Sequence, residues 1–351
     1  MGPMPMTPDR SIPLTTPARS QPTLTDTFGR AITYLRLSVT DRCDLRCTYC
    51  MSEHMTFLPR KDVLSLEETY RLAETFMRLG VRKLRLTGGE PLVRKNIMTL
   101  LAQLKPHLEA RDLDEVTLTT NGTLLARYAA ALKQNGVTRV NVSLDTLDPD
   151  RYRAVTRWGD LARALSGVDA ALAEGLSVKL NAVVQKGLFE RDAADLIAFA
   201  HGRGMDLTFI EAMPLGGALD DYGANHLPLT EAEAWLRARY TLTPVTKKTG
   251  GPARYMRVGE TGGLIGFIAP LSCNFCASCN RMRVSCTGQL FPCMGDDGAV
   301  DLRAALRGGE GPEQLEQAIL GAVAAKPRGH GFGFDGTVSG GLSRPMSHLG
   351  G

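Results

Sequence analysis

Strand-like and helix-like runs alternate from residue 34 to residue 213, and this alternation restricts the fold more than any other feature of the chain. The strand candidates are YLRLSVT (34–40), VRKLRLTG (81–88), EVTLTTNG (115–122), TRVNVSLD (138–145), LSVKLNAVV (176–184) and DLTFIEAM (206–213). Helical periodicity fills the gaps. SLEETYRLAETFMRLG opens on Ser65 with Glu68 three residues later, a capping box, and closes on Gly80. The segments beginning at Gly122, Asp160 and Glu190 read the same way, each ending near a glycine. Strands alternating with helices build parallel βαβ units. Six of them predict an α/β fold with a partial (β/α)6, TIM-like barrel, its site at the C-terminal ends of the strands.

Alternation along each strand assigns its faces. Leu84 and Leu86 face the helices, which turns Lys83, Arg85 and Thr87 into the barrel. The same register points Arg36, Ser38 and Thr40 inward, then Thr117, Thr119 and Asn121, then Asn141, Ser143 and Asp145, and finally Lys179 and Asn181. A barrel interior built for stability alone is filled with Val, Ile and Leu. A polar one with four cations, Arg36, Lys83, Arg85 and Lys179, against Asp145 calls for an anionic ligand such as a polyphosphate. The competing reading puts some of these cations at strand ends, solvated or paired with Glu90 or Glu211.

Composition shifts mark the domains. Residues 1–28 are rich in Pro, Ser and Thr and read as a disordered leader without the apolar core of a signal peptide. Residues 29–213 form the barrel. From 214 to 340 glycine, proline and short strands replace the alternation, with one helix expected at TEAEAWLRARY, so a smaller C-terminal domain is expected there. Residues 341–351 form a glycine-rich tail. No apolar run is long enough to span a membrane. A net charge of +4 does not suggest a nucleic-acid coat. GFGFDG (331–336) lacks the flanking strand and helix of a dinucleotide fold.

The eight cysteines fall in two groups: Cys43, Cys47 and Cys50, then Cys273, Cys276, Cys279, Cys286 and Cys293. In a cytoplasmic chain, where disulfides are rare, such clustering favours metal ligation. The first group has the spacing C-x3-C-x2-C at the end of the first strand. Three thiolates on an iron–sulfur cluster leave one iron open to a small molecule. In the second group Cys276, Cys279 and Cys293 again supply three, and Arg281 and Arg283 follow on one strand face. A zinc ribbon with Cys273 as fourth ligand is the other reading of that group.

Here the sequence resembles the radical S-adenosylmethionine (SAM) enzymes. The resemblance rests on CDLRCTYC (43–50) with GGEP (88–91) after the second strand. With TTNGTLL, VNVSLDTL, VKLNAVVQKG, FIEAMPLG, CNRMRV and the terminal MSHLGG, it extends in order from about residue 28 to the C-terminus and narrows to the GTP 3′,8-cyclase family. The resemblance implies two [4Fe–4S] clusters, on Cys43, Cys47 and Cys50 and on Cys276, Cys279 and Cys293. It implies SAM beside Tyr49, Gly89, Ser143 and Met213, although ordinary core packing would also explain Met213. It places GTP against Arg36, Arg85, Thr119, Lys179, Arg281 and Arg283, with guanine on the open iron of the second cluster and Gly350-Gly351 inserted toward the site. The implied reaction uses a 5′-deoxyadenosyl radical to take hydrogen from ribose C3′ and close a bond to guanine C8, the first step of molybdenum cofactor biosynthesis. An external electron donor and a downstream cyclic pyranopterin monophosphate synthase are the implied partners. Monomer and homodimer both stay open. A radical SAM peptide-modifying enzyme with an auxiliary cluster is the nearest alternative, and a zinc-ribbon binding protein a more distant one.

Overall fold

The computed structural model of the 351-residue chain describes residues 24–215, 222–247, 249–273, 275–296, 298–308, 311–332 and 346. All six expected strands form: β1 (Tyr34–Ser38), β2 (Lys83–Thr87), β3 (Glu115–Thr120), β4 (Arg139–Ser143), β5 (Ser177–Val184) and β6 (Asp206–Glu211). They pair in sequence order, each parallel to the last. The helices α1 (Leu66–Arg78), α2 (Ile97–Glu109), α3 (Leu125–Gln134), α4 (Pro149–Thr156), α5 (Leu161–Ala173) and α6 (Phe189–Gly202) connect them.

Both arms of the predicted capping box form at α1. Ser65 Oγ accepts from the Glu68 amide at 3.1 Å, and the Glu68 carboxylate accepts from the Ser65 amide at 2.8 Å. The sequence reading singled out neither α2 nor α4. Asn96, which starts α2, sits in the left-handed region at φ 62° with no side-chain cap, and Pro106 lies inside the helix. Both suppress the usual start and continuation signals. The helix-facing residues of the strands, including Leu35, Leu84, Leu86, Leu118, Val142 and Leu180, are fully buried in one core with the helices. Each such side chain contributes roughly 1.5–3 kcal/mol through burial. That leaves the opposite strand face free for a site.

The rest of the chain continues the same sheet. After α7 (Tyr222–Asn225) and α8 (Leu229–Arg237) come β7 (Leu242–Val245), β8 (Arg254–Val258) and β9 (Leu264–Ile268), then β10 (Arg281–Val284), β11 (Gln289–Phe291), β12 (Val300–Asp301), α9 (Leu302–Arg307) and α10 (Pro312–Ala324). The sheet has twelve strands in the order β12-β11-β10-β1-β2-β3-β4-β5-β6-β9-β8-β7. β10 adds parallel to β1, and β9 parallel to β6. The change near residue 214 is therefore a change of connectivity without a break in the sheet, and one core spans both parts. Buried Glu211, at the end of β6, ties them together by accepting backbone N–H bonds from Leu229 (3.2 Å), Leu271 (2.8 Å) and Ser272 (2.9 Å).

Two expectations need revision. Within the expected leader, Leu24 and Asp26 are buried and Thr25 bridges Ala31, so order begins before residue 29. Residues 1–23 lie outside the described residues. Among the described residues the C-terminal part has three helices, α7, α9 and α10, beyond the one expected; glycine and proline on either side of α10 masked its pattern. Within the tail only Met346 is described, and Gly350 and Gly351 lie outside the described residues.

Candidate functional site

A cavity of about 340 Å³ occupies the inner face of the sheet, within the usual size range of small-molecule sites. It is lined by the last residues of the barrel strands, among them Thr87, Thr120, Ser143 and Val183, and by the cysteine loops. Every site residue expected from the sequence lines it: Cys43, Cys47, Cys50, Cys276, Cys279, Cys293, Tyr49, Gly89, Ser143, Met213, Arg36, Arg85, Thr119, Lys179, Arg281 and Arg283. Met346 also lines it, so the tail reaches the cavity at that residue.

The first cysteine loop is held from several sides. A β-carbon on Gly89 would lie 2.4 Å from the Arg42 carbonyl oxygen, and one on Gly88 2.4 Å from that of Thr40. The glycine pair thus lets its turn press against the cysteine loop, with Gly89 N–H on Thr40 O (2.9 Å) and Glu90 N–H on Arg42 O (2.8 Å). Arg46 donates to the carbonyls of Cys43 (2.7 Å) and Leu45 (2.8 Å), its guanidinium stacked on Phe57 and Trp158. Asp44 accepts from Asn121 (2.7 Å) and Thr123 (2.5 Å). The Leu45 amide points at Cys43 Sγ, 3.4 Å away. Burial pushes the Cys43 and Cys47 thiols up, so as free thiols they hold their protons. Tyr49 donates to Asp145 at 2.7 Å, and burial raises the Asp145 carboxyl to about 6.

The cations are organised by strand register. Arg36 on β1 is paired in register with Arg85 on one side and Arg283 on the other, so three guanidiniums stand in a row across three strands. Like charges opposed across a sheet destabilise it. Arg85 reaches Thr117 at 3.3 Å. Arg36 Nε is buried without a hydrogen-bond partner among the described residues, as are Thr119 Oγ1 and Asn181 Oδ1. Lys179 is buried and donates to the Tyr255 hydroxyl at 2.6 Å. Burial first, then Arg85 and Arg139, lower its pKa to about 7. Lys83 keeps to the inner face, its ammonium over the Tyr34 ring and donating to Thr249 O at 2.7 Å, but it is paired with Glu115 and does not line the cavity. Glu90 and Glu211 are occupied by other donors, Glu90 by Leu92, Thr120 and Asn121.

The second group of thiols lines the same cavity as the first. Arg281, over the Phe275 ring, reaches Cys279 Sγ at 3.8 Å. Burial alone would raise the Cys279 thiol, but Arg281 and Lys326 overcome it and bring it down to about 7. Cys273 is exposed, Cys286 is buried and pushed up to about 12 by burial, and neither lines the cavity. Among the described residues no three His, Cys, Asp or Glu side chains converge to hold a single metal ion. A zinc ribbon needs four ligands at one tetrahedral centre, whereas the thiolates of a four-iron cluster bind separate irons. Thiols facing one cavity, with amide and guanidinium donors on their sulfurs, fit the cluster. Sequence reasoning missed Tyr255, Lys326 and Arg30, which enter through pairings between distant segments.

Comparison with known proteins agrees with this geometry. Residues 37–200 match the Radical SAM superfamily and residues 205–332 match Molybdenum Cofactor Synthesis C. The chain is 58% identical over 312 residues to GTP 3′,8-cyclase of Rhizobium meliloti (strain 1021), covering 89% of each chain. The chain belongs to the GTP 3′,8-cyclase family. Other relatives in the family include the GTP 3′,8-cyclases of Sinorhizobium medicae (strain WSM419), 57% identical over 89% of each chain, and Brucella melitensis biotype 2 (strain ATCC 23457), 57% identical over 88% of this chain and 90% of that one. Among solved structures, Streptococcus suis SuiB bound to S-adenosylmethionine aligns with a TM-score of 0.56 at 16% identity, over 76% of this chain. The alignment spans 61% of SuiB, under two thirds of its length, and shows the shared fold. No helix among the described residues is long and apolar enough to cross a membrane.

Proposed function

We propose that the chain converts GTP to (8S)-3′,8-cyclo-7,8-dihydroguanosine 5′-triphosphate by radical SAM chemistry, the first step of molybdenum cofactor biosynthesis. The observation that carries this reading is the row Arg283–Arg36–Arg85 between two groups of cavity-facing cysteines. It is a site for a polyanion placed between two redox groups. A peptide substrate would not need such a row.

Cys43, Cys47 and Cys50 hold one [4Fe–4S] cluster, and Cys276, Cys279 and Cys293 hold the other. Tyr49, Gly89, Ser143 and Met213 contact SAM. When bound, the first cluster and SAM together supply the one-electron chemistry that removes hydrogen at ribose C3′ and lets that carbon bond guanine C8. Arg36, Arg85 and Lys179 neutralise the triphosphate, while Arg281 and Arg283 hold the nucleotide toward the second group of cysteines. Thr119 offers a free hydroxyl to the ribose and phosphates. Binding supplies a counter-charge to Arg36, whose buried Nε has no hydrogen-bond partner among the described residues. The walls keep water from a reactive carbon centre. An external donor supplies the electron, and a cyclic pyranopterin monophosphate synthase takes the product in the cytoplasm. Anaerobic incubation with GTP, SAM and a reductant tests the reading: loss of GTP together with formation of 5′-deoxyadenosine is expected, and neither event with both clusters intact would refute it.

A further inference from the structure

Lys326 is 3% exposed, yet no carboxylate pairs with it among the described residues. Arg30, close by, has Asp26 as its counter-ion at 2.5 Å. The ammonium of Lys326 instead donates to two carbonyls, Arg281 O at 3.0 Å and Pro292 O. These carbonyls lie one residue before Met282 and immediately before Cys293. These bonds hold the ammonium against the backbone two residues past Cys279 and one residue before Cys293. The segment after α10 is seated against this loop: a β-carbon on Gly329 would touch Cys276 Sγ at 3.8 Å. Arg30 pins the same segment by donating to Cys276 O (2.8 Å), Arg328 O (3.0 Å) and Pro327 O (2.7 Å). A buried, unpaired ammonium is costly unless an anion is present.

We propose that Lys326 is the resident counter-cation of the second cluster and raises its reduction potential; this rests on Cys276, Cys279 and Cys293 being that cluster's ligands. Three thiolates around an oxidised four-iron core leave a net charge of about −1, and reduction takes it to about −2. A fixed cation therefore favours the reduced form. Lys326 does not line the cavity, unlike Arg281 and Arg283, so nucleotide phosphates do not neutralise it. Its field stays on the cluster whether the substrate is bound or absent.

The test uses the full chain with Cys43, Cys47 and Cys50 changed to Ser, so that iron and redox signals report the second site alone. Lys326→Gln keeps donors for the two carbonyls without the charge, and Lys326→Arg keeps the charge. Anaerobic redox titration followed by electron paramagnetic resonance reads the potential. In Lys326→Gln, the ratio of reduced to oxidised cluster at a fixed potential is expected to fall at least about tenfold, a shift of about 59 mV for one electron. Lys326→Arg is expected to stay within about threefold of the parent. A Lys326→Gln cluster titrating with its parent overturns the proposal. If Gln loses the iron and Arg keeps it, charge is the determinant and the proposal stands. If both lose it, Lys326 is a structural hydrogen-bond donor and the proposal falls. If the parent itself holds no iron, the ligand assignment fails, and the proposal with it.

Discussion

GTP binding should take up a proton at Lys179. Its pKa in the ligand-free protein is lowered to about 7, by burial first and then by Arg85, Arg139 and Lys247, with Asp206 acting in the opposite sense and the Tyr255 hydroxyl accepting its hydrogen bond. At pH 8 the free side chain is then about one-tenth protonated. A triphosphate placed beside it restores the ordinary preference of a lysine for its proton, so binding consumes about 0.9 proton at pH 8 and about 0.5 at pH 7. At pH 8 a terminal phosphate, with its own pKa near about 6, is already ionised and contributes little. The arginines do not titrate in this range, since a guanidinium stays charged. Isothermal titration calorimetry in buffers of differing ionisation enthalpy counts the protons from the slope of observed against buffer enthalpy. Affinity should weaken as pH rises above about 7, by at most about tenfold per unit. Lys179→Met should abolish the slope. A buffer-independent enthalpy at pH 8, or an uptake that survives Lys179→Met, would refute the reasoning. The sign for stability follows the same shift: between about 7 and the ordinary 10.5 the unfolded chain binds a proton that the ligand-free fold does not, so stability rises with pH across that window.

Arg36→Met removes the centre of the like-charge row, so the ligand-free protein should gain about 1 kcal/mol in urea unfolding while the KM for GTP rises at least about thirtyfold. Gly89→Ala drives a β-carbon to within 2.4 Å of the Arg42 carbonyl; displacing the first cysteine loop should lower iron from about eight to about four per chain in anaerobic preparations. Glu211→Ala leaves three backbone donors without an acceptor. At about 1 kcal/mol or more for each, it should destabilise the fold by about 3 kcal/mol, read as a lower urea midpoint.

The barrel was legible because its signals are local. Each strand from Tyr34 to Glu211 gathers its apolar residues mainly on one side, with Val183 and Ile210 as inner-face exceptions, and α1 announces itself with Ser65 and Glu68. The inner faces were legible for the same reason, and Arg36, Arg85, Thr119 and Lys179 all reach the cavity. Lys83 follows the same alternation, but it pairs with Glu115, a neighbour across the sheet that strand periodicity alone does not identify. The C-terminal strands were less legible because their partners are distant in sequence. β10 pairs with β1 across some two hundred and fifty residues (Tyr34 with Arg281, for example), and only this pairing brings Arg283 beside Arg36. Tyr255 comes to Lys179 from β8, which is itself joined to the barrel through β9. The resemblance accounts for the glycine pair at Gly88 and Gly89 only by placing SAM beside Gly89. The structure adds a packing reason, the close approach of the Thr40–Arg42 backbone.

The most direct test of the central claim is to follow a hydrogen. GTP deuterated at ribose C3′ would be incubated anaerobically with the reconstituted enzyme, SAM and a chemical reductant, and the 5′-deoxyadenosine recovered for mass spectrometry. The account predicts deuterium in the methyl group of 5′-deoxyadenosine together with loss of GTP, because the proposed reaction takes its hydrogen from ribose C3′. Unlabelled 5′-deoxyadenosine from a protein carrying both clusters would contradict it.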